Sequence, residues 1–347
     1  AAQAAARQQG RLVGIGIAGC IEASGPAPSK VAGALGSAVG FWESGVIRVH
    51  PSGKVTVLTG SHQHGQGHET AFAQIVADEL GISMDDVEVL HGDTGLIPFG
   101  MGTYGSRSAA VGGTALFKSA DKVRKKMLKI AAHQLEASEE DLVYDRNGGG
   151  VYVKGSPSQK KSFFDLSFAS YTAHNLPDDM EPGMEETTFF DPPNFTFPNS
   201  AHICQVEIDP QTGAITLQKY FAVDDVGKVI NPMLVEGQIQ GGIAQGAGQA
   251  LLEYGVYDEN GQLLSGSFMD YAMPRADLFP MFNTSRTETP SPSNPLGVKG
   301  AGEMGTVAST VAVANAVMDA LAPLGIRHLE MPLTAEKIYN AIHANGQ

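Results

Sequence analysis

Cysteine is almost absent: only Cys20 and Cys204 occur in 347 residues. Two thiols so far apart make no C-x-x-C pair, no thiolate set for an iron–sulfur cluster and no disulfide framework, so a reducing cytoplasm is the expected location. The usual phosphate fingerprints are also missing. No G-x-x-x-x-G-K-[ST] occurs, and no strand-linked G-x-G-x-x-G with a downstream acid marks a dinucleotide-binding unit. Ser106 lies in no G-x-S-x-G elbow, which argues against a serine hydrolase. Positive charge is scarce, with 23 Lys and Arg against 37 Asp and Glu and a formal net charge of −14. Neither nucleic acid nor an anionic membrane is therefore expected as a partner. No apolar run is read as reaching the ~18 residues that span a bilayer, and Ala1–Arg7 lacks the apolar core of a signal peptide. The chain starts without Met and is expected to be a processed product or a piece of something longer.

What is abundant is glycine, 42 residues, well above the usual ~7%. The glycines cluster in short blocks after strand-like runs, where main chain can lie against something flat or anionic. With 42% apolar residues, a chain of this length buries a sizeable core in roughly two units.

Arg11 to Ala23 reads as a strand, and Val46 to Leu58 as a hairpin about Pro51-Ser-Gly53. A glycine block follows, then a helix over Thr70–Leu80, a strand over Asp85–Leu90, a second glycine block and a long helix over Thr114–Leu135. Residues 144–198 read as short strands joined by excursions. The plan then recurs: a hairpin from Ile203 to Val223, the glycine block Gly237–Gly248 and a helix to about Glu253, with closing helices over Thr306–Leu321 and Thr334–His343. The expected fold is thus α+β, built from duplicated hairpin, glycine loop and helix units. Residues 1–43 are expected to form a strand and loop packing on the rest, with subdomains over 44–198 and 199–347.

Three blocks carry polar groups suited to a site. Gly60–Thr70 holds His62, His64, Gln66 and His68 among glycines. A zinc set from the histidines is disfavoured, since no nearby Cys or second carboxylate beyond Glu69 supports it, and Gln66 with neighbouring N–H groups suits ligand oxygens. Gly100–Thr114 sets Ser106, Arg107 and Ser108 before the long helix, a combination that suits pyrophosphate. Gly237–Gly248 adds Gln238, Gln240 and Gln245, either as a surface that reads a heterocycle edge or as small-residue helix packing. Asn294–Gly305 then places Glu303 between glycines ahead of a helix, suited to proton removal.

Together these stretches resemble the molybdopterin-binding large subunit of the xanthine dehydrogenase and aldehyde oxidase family, nearest its aerobic carbon monoxide dehydrogenase branch. The matching pieces are Gly65–Thr70, Thr103–Ser108, Asn231-Pro232 with Gly237–Gly242, Ser267–Arg275 and Asn294–Gly305. The resemblance covers the C-terminal half of that subunit and implies a molybdopterin-binding fold. It implies molybdopterin, in its cytosine dinucleotide form, with molybdenum held through the pterin dithiolene rather than by protein ligands. Glu303 takes the place of the base. Gly65, Gln66, Gly67 and His68 would lie near the metal, Gly105, Ser106, Arg107 and Ser108 at the phosphates, and Gln238, Gln245, Lys299 and Gly302 along the pterin. The implied reaction adds water-derived oxygen to an aldehyde or N-heteroaromatic carbon, with electrons leaving through 2Fe-2S and FAD on partner subunits. The implied partners are a chain carrying the N-terminal half, an iron–sulfur subunit and an FAD subunit. A carbon monoxide dehydrogenase fragment and a non-catalytic scaffold are the alternatives.

Overall fold

Two four-stranded sheets with matching strand orders organise the chain, whose residues 2–344 are described by a computed structural model. The first contains β2 (Glu43–Val49), β3 (Val55–Thr59), β4 (Val87–His91) and β8 (Glu185–Phe190) in the order β4-β3-β2-β8. The second contains β1 (Leu12–Ile21), β9 (Asn199–Ile208), β10 (Ile215–Asp225) and β11 (Phe282–Thr287) in the order β1-β9-β10-β11. In each, a hairpin forms the centre, a later strand pairs parallel to its second arm, and another pairs antiparallel to its first. A three-stranded sheet of β5 (Leu142–Tyr144), β6 (Gly150–Val153) and β7 (Ser156–Ser162) flanks the first.

The helices repeat the plan. In the first unit α3 (His68–Leu80) connects β3 to β4, and α4 (Thr114–Leu135) packs on the sheet through Leu116, Val123, Met127 and Ile130, all fully buried. In the second unit α6 (Pro232–Leu251) follows the hairpin, and α7 (Met304–Leu321) buries Ala308, Ala312, Val313, Ala316 and Val317 against it and the sheet. Shorter helices are α1 (Ala2–Gln8), α2 (Ser29–Ala34), α5 (Phe163–Thr172) and α8 (Ala335–Ala344). The mixed α+β class matches the expectation. The strand of the N-terminal segment, β1, joins the sheet of the C-terminal unit through a ten-residue antiparallel register with β9.

Three local expectations need correction. The block Gly237–Gly248 is not a loop but lies inside α6. Its glycines replace side chains where two helices touch: a Cβ on Gly246 would lie 2.0 Å from Ser309 Oγ, and one on Gly242 2.9 Å from Gly305 Cα. Within 144–198, the segment Phe163–Thr172 is helical, started by a reciprocal capping box between Ser162 and Asp165. Finally, Met304–Leu324 is long and apolar enough by length and composition to cross a membrane, with mean hydropathy 1.5. In the fold α7 is a core helix, lying against α6 on one side and β1 and β9 on another.

The approach of α7 to β1 leaves no room for a methyl group. A Cβ on Gly16 would fall 2.0 Å from Ala312 O and 2.3 Å from Ala316 N, both backbone atoms that cannot rotate away. Gly16→Ala is therefore expected to push helix and strand apart and to cost roughly 1–3 kcal/mol or more. Gly33→Ala, at a helical position with nothing within 4 Å, serves as the control in urea denaturation. Equal midpoints for the two variants would refute the close-packing argument.

Candidate active site

Both units contribute to one cleft of about 760 Å³ of empty space, part of it open to solvent. The first unit supplies Gln66, His68, Thr103, Ser106 and Ser108. The second supplies Lys228, Asn231, Leu234, Gln238, Lys299 and Gly302. Of the residues singled out from the sequence, Gln66, His68, Ser106, Ser108, Gln238, Lys299 and Gly302 line it. Residues at the N-terminal ends of α3 and α6, and residues leading into α7, form much of the wall, so free N–H groups and positive helix ends lie close by.

The turn before α3 is set by Gly65 and Gly67, at φ 105° and 79°. Between them Gln66 is held by its carbonyl, Oε1 accepting from His64 N–H at 2.6 Å. Its Nε2 is buried and has no hydrogen-bond partner. An amide donor in that state costs about 1–3 kcal/mol unless something accepts from it. His68 follows, buried against Phe72, with Nδ1 3.2 Å from Ser61 O. Burial drives its pKa down to about 4, so the ring is neutral at pH 7. Of the three histidines in this block, His62 and His64 lie with ring centroids 6.2 Å apart. His62 Nδ1 meets His91 Nδ1 at 2.9 Å, and among the described residues no group of three His, Cys, Asp or Glu is placed to hold a metal ion.

The second loop turns through Gly102 and Gly105 into Ser106, which itself has φ 54°. A non-glycine residue in that region is strained and persists only where its surroundings fix it. The fixing group is Arg107. It is fully buried, its Nη1 donates to Glu43 Oε1 at 2.5 Å and to Gly102 O at 2.8 Å, and its Nη2 donates to Phe41 O. Glu43 Oε1 also accepts from Met101 N–H at 2.9 Å. Burial pushes the Glu43 carboxyl upward, opposed by Arg107 and the loop amides. The expected grip of Arg107 on a phosphate is therefore corrected: its terminal nitrogens are committed to protein acceptors, and the side chain does not reach the cleft. Ser108 is tied to Thr103, their hydroxyls 2.7 Å apart, and Thr103 also reaches His62 O at 2.6 Å.

Glu303 stands at the N-cap position of α7 but does not cap it. Instead its exposed carboxylate turns to the first unit, where Ser106 Oγ donates to Oε2 at 2.7 Å. The glycines beside it are sites of close approach, since a Cβ on Gly300 would lie 2.5 Å from Ser106 Cβ and one on Gly302 3.3 Å from Ser106 Oγ. Gly300 N–H is held by Ser24 Oγ at 3.2 Å. Lys299 reaches the cleft wall with Nζ paired to Asp225 Oδ1 at 2.9 Å. Burial alone would raise Asp225, but donors from Thr289, Lys299 and Gly227 N–H bring it down to about 2.

Gln245 does not join the site. It lies seven positions beyond Gln238, about 10 Å further along the helix, and is exposed, accepting from Thr306 Oγ1 at 3.1 Å. Gly65, Gly67 and Gly105 shape the loops without lining the cleft. As site residues the sequence reading did not single out Glu43, Lys228, Thr103 or Asn231, although Thr103 and Asn231 fall within the matching stretches. Asn231 carried a readable signal, a side chain before Pro232 that caps α6 by accepting from Leu234 N–H at 3.1 Å. Glu43, 64 residues from Arg107, carried none.

A family profile described as "Molybdopterin cofactor-binding domain" matches residues 1–280. The carbon monoxide dehydrogenase large chain of Hydrogenophaga pseudoflava is 42% identical over 331 residues, covering 95% of this chain and 40% of the relative. The nicotine 6-hydroxylase large subunit of Paenarthrobacter nicotinovorans is 39% identical over 337 residues, covering 97% of this chain and 41% of the relative. A crystal structure of a copper- and molybdenum-containing carbon monoxide dehydrogenase in its carbon monoxide reduced state superposes with TM-score 0.92 and 41% identity, over 99% of this chain and 43% of the other. The chain thus spans about two fifths of the length of these relatives.

Two outcomes follow from this geometry. Arg107→Ala strands the Glu43 carboxylate without its cation and should cost about 3–5 kcal/mol in denaturant unfolding; a loss below about 1 kcal/mol would show that the pair does not hold the loop. For His68 the folded pKa of about 4 lies below the ordinary 6.5. The unfolded chain therefore binds the extra proton between these values, and stability is lost as pH falls through that window. His68→Gln should flatten the pH dependence of the urea midpoint there, and an unchanged slope would refute the assignment.

Proposed function

The chain belongs to the molybdopterin cofactor-binding family of xanthine dehydrogenase and carbon monoxide dehydrogenase large subunits, and we propose from that premise that it is the cofactor-gripping and base-bearing part of a molybdenum hydroxylase. The observation that carries this reading is the cleft where Gln66, Ser106, Gln238 and the Glu303 loop meet, with the Gln66 amide buried and unpartnered beside it.

The residues present fit the group. A buried donor awaiting an acceptor, neutral hydroxyls and amides, glycine surfaces and helix N-termini are what an anionic, flat, oxygen-rich ligand needs. Gln66 would donate near the metal end, Ser108 and Thr103 to oxygens, and Gln238 and Gly302 would lie along the pterin. Lys228 takes the role first expected of Arg107: it is exposed at the cleft wall and makes no ion pair among the described residues. The cytosine dinucleotide form of the cofactor is part of the proposal. When bound, the cofactor supplies a two-electron acceptor and an activated, water-derived oxygen. Glu303 supplies proton removal, an anionic carboxylate at a loop where glycines admit close approach. Ser106 holds it by one hydrogen bond, leaving its other lone pairs free for the arriving proton. Neutral His68 adds no competing charge.

The substrate class is an aldehyde or N-heteroaromatic carbon, with electrons passed to 2Fe-2S and FAD groups on other chains. The 39% identity to a nicotine 6-hydroxylase large subunit supports this class. The carbon monoxide reading stands second, on 42% identity to a carbon monoxide dehydrogenase large chain. A chain carrying the N-terminal half of the large subunit is the proposed partner. Ile17, Ile203 and Phe221 form one exposed apolar row across β1, β9 and β10, on the face opposite α7, which is where such a partner would gain most burial. The proposed setting is the cytoplasm.

Glu303→Gln in the purified complex should abolish turnover, by at least about 10²-fold for loss of a general base, while molybdenum and pterin content stay near the unmodified level. Absence of both from the unmodified complex would sink the function, and their loss only in the variant would make Glu303 a structural residue.

A further inference from the structure

The two units are tied together at the cleft by a side chain that does not line it. Gln74 is half-buried on α3, one turn past Ala71, which belongs to the cleft wall. Its Nε2 donates to Ile230 O of the second unit at 2.9 Å, and its Oε1 accepts from Asn231 Nδ2 at 3.2 Å. Asn231 Oδ1 in turn accepts from Leu234 N–H at 3.1 Å. The two ends fix the direction of this chain of bonds. A backbone carbonyl can only accept and a backbone N–H can only donate, so neither amide flips without losing a bond, and the bond between the two amides is forced.

These bonds hold the approach of α6 to α3. A Cβ on Gly67, at the N-cap of α3, would lie 2.7 Å from Leu234 Cδ2 in the first turn of α6, so the two helix starts meet beside Gln66. The segment leading into α6 is pinned twice: Lys228 N–H donates to Gly297 O at 2.9 Å, and Ile230 O accepts from Gln74. Lys228, the cation of the cleft wall, stands at the first of these pins.

We propose that Gln74 is a positioning residue for the cleft: its amide clasps Ile230 and Asn231 across the seam and so sets how far Lys228 and the start of α6 stand from Gln66. The consequence for cofactor retention rests on the function proposed above. A grip made of amides, helix N-termini and one free lysine depends on where those groups stand. A loosened seam therefore holds an anionic ligand less well, although every gripping group is still present.

The test is a double-mutant cycle in the purified complex. Gln74→Met removes both of its bonds at similar size, and Asn231→Ser keeps a capping hydroxyl for α6 but loses the donor to Gln74. Molybdenum retained during dialysis against rising salt is followed by metal analysis. Gln74→Met should lose molybdenum about tenfold faster than the unmodified complex, the scale of two ordinary hydrogen bonds, and Asn231→Ser about threefold faster. The double variant should match Gln74→Met, because Asn231 then has nothing left to clasp. Asn231→Ser carries the comparison if Gln74→Met fails to fold. Retention equal to that of the unmodified complex, or losses in the double variant that multiply those of the single ones, would overturn the proposal. Hydrogen exchange on the same proteins reads the seam without a cofactor. Exchange at residues 231–238 should quicken in the variants while α4 keeps its protection; unchanged exchange at 231–238, or equal quickening throughout α4, would also overturn it. This second readout judges the clasp even where metal analysis of the unmodified complex has rejected the proposed function.

Discussion

The buried ion pair between Arg107 and Glu43 is the point from which the site takes its shape. Both side chains are fully removed from solvent, a situation in which desolvation outweighs attraction unless further hydrogen bonds satisfy the remaining groups. Gly102 O, Phe41 O and Met101 N–H satisfy part of the pair, while Arg107 Nε and Glu43 Oε2 stay buried without a partner. A carboxylate at the first residue of β2 is thereby tied to a loop sixty-four positions later, and the loop is pinned to the sheet. The left-handed Ser106 next to Arg107 follows from this anchoring, and so does the direction in which its hydroxyl points, across the boundary between the two units to Glu303. The pair is thus a device for placing a neighbouring serine.

Glycine serves two separate purposes here. At Gly65, Gly67, Gly102 and Gly105 it provides positive φ in loops that form or shape the cleft. At Gly16, Gly242 and Gly246 it removes side chains so that helices and strands touch backbone to backbone. The two uses look alike in the sequence. The first and second blocks were legible as site loops because helices with clear apolar periodicity follow them. The third was read as a loop in the duplicated plan, with small-residue helix packing as the alternative, and Gly242 and Gly246, four apart on one helix face, bear out that alternative. The hairpins, α3, α4, α7 and α8 were legible because period-two and period-3.6 patterns dominate where one side of an element is buried. The helix α5 was not, even though its capping box lies in plain sight, because flanking prolines and glycines outweighed it. Arg107 was misread for a different reason. An arginine between two serines before a helix suits an anion, and the buried partner that claims it is distant in sequence.

The duplication explains why the cleft lies where it does. Each unit turns from a hairpin into a helix, and the starts of α3 and α6 reach the same space from opposite sides. Neither unit contains a site by itself: one brings Gln66 and Ser106, the other Gln238, Lys299 and Glu303. The glycines at 300 and 302 let the second unit come within contact distance of Ser106. A site built on a seam of this kind is precise only if both sheets are rigid, which accounts for the fully buried faces of α4 and α7 behind it.

A chain of net charge −14 that grips an anionic cofactor needs a local account of its electrostatics. Charges separated by more than the Debye length, about 8 Å at physiological ionic strength, are largely screened at the surface, so the overall excess of acid acts weakly on the cleft. Within the cleft the balance differs. Lys299 is matched by Asp225, Arg107 by Glu43, and His68 is neutral, which leaves Lys228 as the cation without an ion pair among the described lining residues. Most of the remaining attraction comes from dipoles: hydroxyls, the Gln66 amide and helix N-termini. Fixed dipoles stabilise an anion without adding cations that would draw the Glu303 carboxylate into an ion pair. The base role proposed for Glu303 requires that it stay available to a proton, and among the described residues its carboxylate has only the Ser106 hydroxyl as a hydrogen-bond partner.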